Sequence, residues 1–318
     1  IRIRDWSSDV CSSDLISLKK KEVSIFAFFL LFAQPIFMTS NLAIARGASG
    51  FIPPVSLAFW RWLLAFLIFL PFVFPSIRKN FKDLISEAPK LLILGLTGFT
   101  FCGAFPYISG LTTTVINMGI IYSASPIFII LISVIFYREK ITKLQLFGTL
   151  CCLLGVLIIV CNGQFRNLIN LSFTKGDLWI LGAMISWAVY SVYLMHWKSK
   201  FDLFTKFTLM ALAGTIFLAP MYYIEEKYFY TTEFNKDFYF WVIVAAVFPG
   251  IIAFQMYAKL QKYLGASLTG LTVYMMPIYS ALYGYFLFNE KLYNFHWFGG
   301  FFVFIGIFLA NKNLFKLR

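Results

Sequence analysis

The residues able to do chemistry in this chain are few, and most sit in apolar sequence. Arg61, in LAFWRWLLAF, is the one charged side chain deep inside a long hydrophobic run. A cation in hydrocarbon is costly unless it meets a partner or a water-filled cavity. It reads either as a contact for an anionic group of a bound small molecule, or as a side chain that snorkels or bonds carbonyls near its helix start. Pro54, about two turns away, favours the second reading. Asn41, Tyr107, Asn117, Tyr122, Trp187, Tyr190, Gln255 and Tyr274 lie in similar surroundings. Buried amides need partners, so each such residue is either glue between helices or part of a cavity wall. An aromatic, amide-bearing and nearly uncharged lining would suit a zwitterionic or aromatic small molecule.

Bond-breaking chemistry finds no such support. The two histidines, His196 and His296, sit at the ends of apolar runs. No HExxH, GxSxG, paired carboxylate or phosphate-cradling loop is present. Cys102, Cys151, Cys152 and Cys161 lie within or at the ends of apolar runs, without a CxxC or a neighbouring His, and read as small core residues. No enzyme, cofactor or metal site is expected. No Asp or Glu falls inside any apolar run, which excludes a proton relay through an embedded carboxylate.

The elements that must position these residues follow from composition. Of 318 residues 60% are hydrophobic and 13% charged, against about 25% charged in a soluble domain. That excludes a soluble or a disordered chain. Runs of roughly 20 residues, enough to cross the hydrocarbon, recur at Val23–Ala45, Val55–Pro75, Leu91–Leu111, Val115–Tyr137, Leu144–Asn162, Asp177–Lys198, Phe204–Tyr223, Phe238–Lys259, Ser267–Phe288 and His296–Lys312. The expected fold is an all-α polytopic membrane protein with ten transmembrane helices. Residues 1–15, including DWSSDVCSSDL, look like a translated sequencing adapter joined to a gene fragment and are set aside as non-native.

The net charge of +13 does not point to nucleic acid, because the basic residues lie in short connections rather than in one stripe. Alternate connections hold Lys19–Lys21, Arg78–Lys90, Arg138–Lys143, Lys198–Lys206, Lys259–Lys262 and Lys312–Arg318. The intervening ones hold only Arg46, Arg166, Lys175, Lys227, Lys236 and Lys291. Cytoplasmic loops retain Lys and Arg, so both termini are expected in the cytoplasm.

An internal repeat organises the runs. Setting Pro126 on Pro277 gives an offset of 151, and the same offset superposes Glu139 on Glu290, Lys140 on Lys291, Phe147 on Phe298, Gly148 on Gly299 and Gly155 on Gly306. Five runs per copy would insert the second copy upside down, the arrangement of many secondary transporters. Pro126 and Pro277 fall mid-run, where each should remove a backbone hydrogen bond and kink its helix. They mark either a binding site between the copies or packing kinks. Glu139, Lys140, Glu290 and Lys291 read as interfacial salt bridges or gates. The glycines at 148, 155, 299 and 306 read as close helix packing.

Four stretches carry a further resemblance: FIPPVSLAFWRWLLAFLIFLPF (51–72), ASPIFIILISVIFYREKITKLQLFGTLCCLLGVLIIV (124–160), GDLWILGAMISWAVYSVYL (176–194) and MMPIYSALYGYFLFNEKLYNFHWFGGFFVFIGIFLA (275–310). In order and in their doubled P…E(K/R)…G…G pattern they resemble the EamA repeats of the drug/metabolite transporter superfamily. That resemblance implies two inverted five-helix EamA repeats, residues 16–162 and 163–318, with a substrate path between them. It also implies secondary transport of small metabolites across the inner membrane by alternating access, with export of amino acids or related metabolites as the preferred direction. A passive channel or an uptake carrier stands as the alternative. Expected partners are the lipid bilayer and a small-molecule substrate, not nucleic acid; the oligomeric state is left open.

Overall fold

The structure, a computed structural model, describes residues 26, 29–138, 142–160 and 174–311. Residues 1–15, and with them the adapter-like segment, lie outside these, as do Glu139 and Lys140. Among the described residues there is no strand. Helices run from α1 (29–47) through α2 (Pro54–Lys79), α3 (Phe81–Gly95), α4 (Cys102–Gly110), α5 (Val115–Tyr122), α6 (Ser125–Tyr137) and α7 (Lys143–Val160). They continue as α8 (Lys175–His196), α9 (Leu203–Tyr228), α10 (Lys236–Ala245), α11 (Ala253–Thr269), α12 (Met276–Phe288) and α13 (Asn294–Asn311). Among the described residues six helical stretches, including Phe81–Gly110, Val115–Tyr137 and Lys236–Leu260, are long and apolar enough to cross a membrane. The chain is therefore a multi-pass membrane protein.

Local chemistry sets the helix starts. Pro sits in the first turn of α2, where its missing N–H would have no partner anyway. Thr174 and Asp177 form a reciprocal capping box at α8. Asp202 opens α9, its carboxylate accepting from the Phe204 and Thr205 N–H groups and from the Thr205 hydroxyl. Partial burial alone would raise the Asp202 carboxyl, but these hydrogen bonds outweigh it and hold it below the ordinary Asp value. The folded chain thus gives up this proton more readily than the unfolded one. The cap stabilises fully above the ordinary carboxylate range and is lost as pH falls through the depressed value. Asp202→Ala should cost about 1 kcal/mol near neutral pH, and titrating the thermal midpoints of both proteins downward in pH should bring them together.

The third span begins ten residues before the sequence suggests, because Lys82, Asp83, Glu87 and Lys90 are helical rather than looped. Their polar groups are used. Glu87 is buried and accepts from the Ser199 hydroxyl and the Lys200 N–H, while Lys200 Nζ pairs with Asp83 at 2.5 Å. This joins α3 to the turn before α9, two of the Lys-rich connections, at one end of the molecule.

Pro126 and Pro277 do not kink continuous helices. α5 stops at Tyr122 and α6 restarts at Ser125, with Pro126 in its first turn. Likewise a 3₁₀ segment, Gly270–Met275, precedes α12, which has Pro277 in its first turn. Each proline initiates the second half of a broken span, where it costs no hydrogen bond.

The 151-residue offset carries into local geometry. It maps the bounds of α6 onto those of α12 and of α7 onto those of α13. It also maps Arg138 (φ 54°) onto Asn289 (φ 52°), two left-handed residues that end α6 and α12. A π-helical segment follows α3 (Leu96–Phe101) and another follows α10 (Ala246–Ile252). Gly148, Gly155, Gly299 and Gly306 are all buried, and α7 and α13 pack against each other. Elsewhere α3 and α9 approach so closely that a Cβ on Gly95 would fall 2.5 Å from that of Ala213, leaving room only for hydrogen.

Candidate functional site

Arg61 does not snorkel. Its residue is 2% exposed, and its guanidinium bonds side chains of two other helices rather than carbonyls at its own helix start. Nη1 donates to Asn41 Oδ1 on α1 at 2.6 Å and to the Tyr107 hydroxyl on α4 at 2.5 Å. The Tyr107 hydroxyl in turn donates to Asn41 Oδ1 at 3.0 Å, closing a triangle. The guanidinium carbon lies 4.4 Å from the centre of the Trp62 ring and 4.7 Å from that of Tyr107, distances at which a ring quadrupole attracts a cation. Among the described residues Arg61 has no ion-pair partner.

Nη1 is therefore engaged, whereas Nε is not. Nε is buried with no hydrogen-bond partner. The Nε–Nη2 edge is the fork that accepts a carboxylate in two parallel bonds. Two further donors without acceptors accompany it, the indole N–H groups of Trp62 and Trp187, each on a residue 1% exposed. The Trp62 indole nitrogen converges on Arg61 over Gly103. A Cβ there would lie 2.8 Å from Trp62 Nε1 and 3.6 Å from Arg61 Nη2, so only glycine leaves these two donors in place.

Arg61, Trp62 and Trp187 all line a cavity of about 30 Å³. Arg61, Asn41, Trp62, Gly98, Cys102 and Tyr122 come from the first half of the chain; Trp187, Pro249, Phe254 and Met276 come from the second. The volume holds one or two waters or a monatomic ion, and nothing as large as an amino acid. Tyr122 donates to Cys102 Sγ at 3.8 Å, and Cys102 donates to the Ala183 carbonyl at 3.3 Å. Both side chains are thereby held against the wall.

The structure brings together Asn41, Arg61, Tyr107, Tyr122 and Trp187. Tyr190 stands one layer behind, its ring 5.2 Å from Trp187 and 6.2 Å from Phe99. The other candidates lie elsewhere. Asn117 is in the first turn of α5, its N–H capped by Thr114, and Gln255 is half-buried beside Phe254 without lining the cavity. Pro126 is buried at the start of α6. Pro277 lines a separate apolar cleft on α5, α12 and α13. The side chain of Tyr274 lies outside the described residues.

Glu290 is a clamp. Its carboxylate accepts from the Val115 and Ile116 N–H groups at 2.9 and 3.1 Å, capping α5 from across the chain, while Lys291 is exposed. Glu225, near the end of α9, does the same for α2, accepting from Val55 at 3.0 Å and Ser56 at 2.7 Å. Sequence reasoning missed Trp62, Phe254, Cys102 and Glu225. A Trp beside the lone Arg was the available signal for the first. The other three have no local spacing that singles them out.

Comparison with known proteins agrees with this architecture. A profile of the EamA-like transporter family matches residues 25–161 and again 174–312. An uncharacterized transporter of Archaeoglobus fulgidus is 26% identical over 81% of this chain and 88% of its own length. The uncharacterized transporter YyaM of Bacillus subtilis is 24% identical over 81% and 84%. A riboflavin transporter of Brucella anthropi is 30% identical, over 48% of this chain and 50% of its own. A crystal structure with 16% sequence identity superposes with a TM-score of 0.64, covering 94% of this chain and 99% of that one, which speaks to fold alone. The twice-matched profile, the multi-pass helical fold and full-length likeness to proteins named as transporters converge: the chain belongs to the EamA-like transporter family of the drug/metabolite transporter superfamily and is a membrane transporter.

Proposed function

We propose that this transporter is a secondary carrier of small carboxylate-bearing metabolites, amino acids or related compounds, that works by alternating access between two inverted five-helix halves. The observation that carries the reading is the unpartnered Nε of a buried Arg61 that, among the described residues, has no ion-pair partner and lines a cavity walled by both halves. A carboxylate on its Nε–Nη2 edge would supply the missing negative charge and two charge-assisted hydrogen bonds. Trp187, Tyr122 and Phe254 offer apolar surface to the rest of the molecule. In this reading the chain spans the inner membrane ten times with both termini in the cytoplasm, and cargo moves outward. A site walled by both halves suits a carrier that exposes it to each face in turn.

The test uses protein in liposomes preloaded with a pooled library of amino acids, nucleosides, vitamins and sugars, with mass spectrometry of what leaves. Selective, saturable loss of carboxylate-bearing compounds is expected, accelerated when the same compound is added outside. Loss that is unselective, or indifferent to external compound, would identify a channel and overturn the reading.

A further inference from the structure

The cargo-free state raises a problem of charge that the carrier reading leaves open. Arg61 is buried, and its unpartnered Nε, with the two indole N–H groups of Trp62 and Trp187, presents donors and no acceptor. The nearest strong acceptor, Asn41 Oδ1, already takes two hydrogen bonds. The Tyr122 hydroxyl donates to Cys102 and keeps a neutral oxygen as acceptor, which offers no charge to offset the guanidinium. A water in the cavity would satisfy some of these donors, but the positive charge would remain. An anion needs no acceptors. The cavity, at about 30 Å³, is too small for an organic acid and large enough for one monatomic ion.

We propose that the cargo-free carrier binds a monovalent inorganic anion of chloride size on the Nε–Nη2 edge of Arg61, within reach of the indole N–H groups that line the same cavity, and that a cargo carboxylate displaces it. The inference rests on the carrier reading for its second half only; the anion site itself stands on the buried donors. The ion neutralises Arg61 so that the empty cavity can close without a bare charge in the membrane interior. Cargo and halide then compete for one edge, and the halide supports return of the unloaded carrier.

The probe is bromide. Purified wild-type protein is melted in sodium bromide and in sodium methanesulfonate at equal ionic strength, and crystals grown in bromide are measured for anomalous scattering. A saturable rise of the midpoint with bromide is expected, with an anomalous peak beside Arg61. Trp62→Phe, which keeps an aromatic ring there while removing the indole N–H, should weaken the apparent bromide affinity about tenfold, and Arg61→Gln should abolish saturation. Equal midpoints in the two salts, or an undiminished saturable shift in Arg61→Gln, would overturn the proposal. Should Arg61→Gln fail to fold, the wild-type peak and the Trp62→Phe affinity decide, and a missing peak counts against the site. In liposomes, replacing chloride by methanesulfonate should slow net efflux several-fold while leaving exchange of cargo for cargo intact. Bromide binding without carboxylate transport would sustain the anion site and sink the carboxylate reading; carboxylate exchange by a protein that binds no bromide would do the reverse.

Discussion

Replacing Arg61 with Met should abolish carboxylate exchange in liposomes, a loss of at least about a hundredfold, while the protein still folds. The two halves of this expectation come from different physics. Two charge-assisted bonds to cargo are each worth about 1.5–3 kcal/mol, so their loss reaches a hundredfold even at the low end. Stability should move the other way. Among the described residues the guanidinium has no carboxylate partner, so the substitution removes the buried cation together with any small anion it holds, and replacing such a buried pair by apolar volume is often neutral or stabilising. Met occupies the stem volume and leaves Asn41 and Tyr107 still bonded to each other. Exchange rates per folded molecule, with thermal midpoints measured beside them, check both halves at once. A variant that transports normally but melts early would mean that Arg61 serves the fold and not the cargo.

Glu225→Ala should have the largest effect on stability, about 3 kcal/mol. The loss strips two N–H groups at the start of α2 of their acceptor in a buried setting, and each orphaned donor costs about 1–3 kcal/mol. Glu225→Gln keeps one acceptor oxygen and should fall between. The corresponding change at Glu290 should cost less, because Glu290 is more exposed and solvent can replace it. Chemical or thermal denaturation in one detergent ranks the three. Since α2 also carries Arg61, a loosened α2 start should further lower cargo affinity in the folded fraction, and this would appear as a raised KM.

The contrast between these residues shows what the sequence makes legible. Arg61 stands out because hydropathy exposes a charge in an apolar run, and the reading of Pro126 and Pro277 as matched breaks survives, although each starts a helix instead of bending one. What Arg61 touches was not legible. Asn41 and Tyr107 reach it from 20 and 46 residues away, and no periodicity encodes such a meeting. Glu225 and Glu290 were opaque for a related reason: a cap donated by the same helix has a fixed spacing, whereas one supplied 170 or 175 residues later has none. The early start of the third span was hidden because Asp83 and Glu87 look like loop residues until their partners at Ser199 and Lys200 are seen.

The π-helical segments have a consequence for how this chain tolerates length changes. A wide turn holds one residue more than an α-helical turn, so Leu96–Phe101 carries a surplus residue just before Cys102 and Tyr107. Deleting one residue there would restore a regular helix and leave everything beyond it in nearly the same phase, because the wide turn already takes up the extra residue. A deletion in the regular α-helical turns of α3 would instead rotate Tyr107 away from Arg61, and Cys102 from Tyr122, by about 100°, with hydropathy, span length and composition all but unchanged. The second segment, Ala246–Ile252, sets the phase of Phe254 in the same way. Single-residue deletions at these two points would therefore be absorbed, whereas deletions in the neighbouring α-helical turns would yield proteins that still insert as membrane helices but are out of phase at the cavity, a lesion that an inventory of spans would not register.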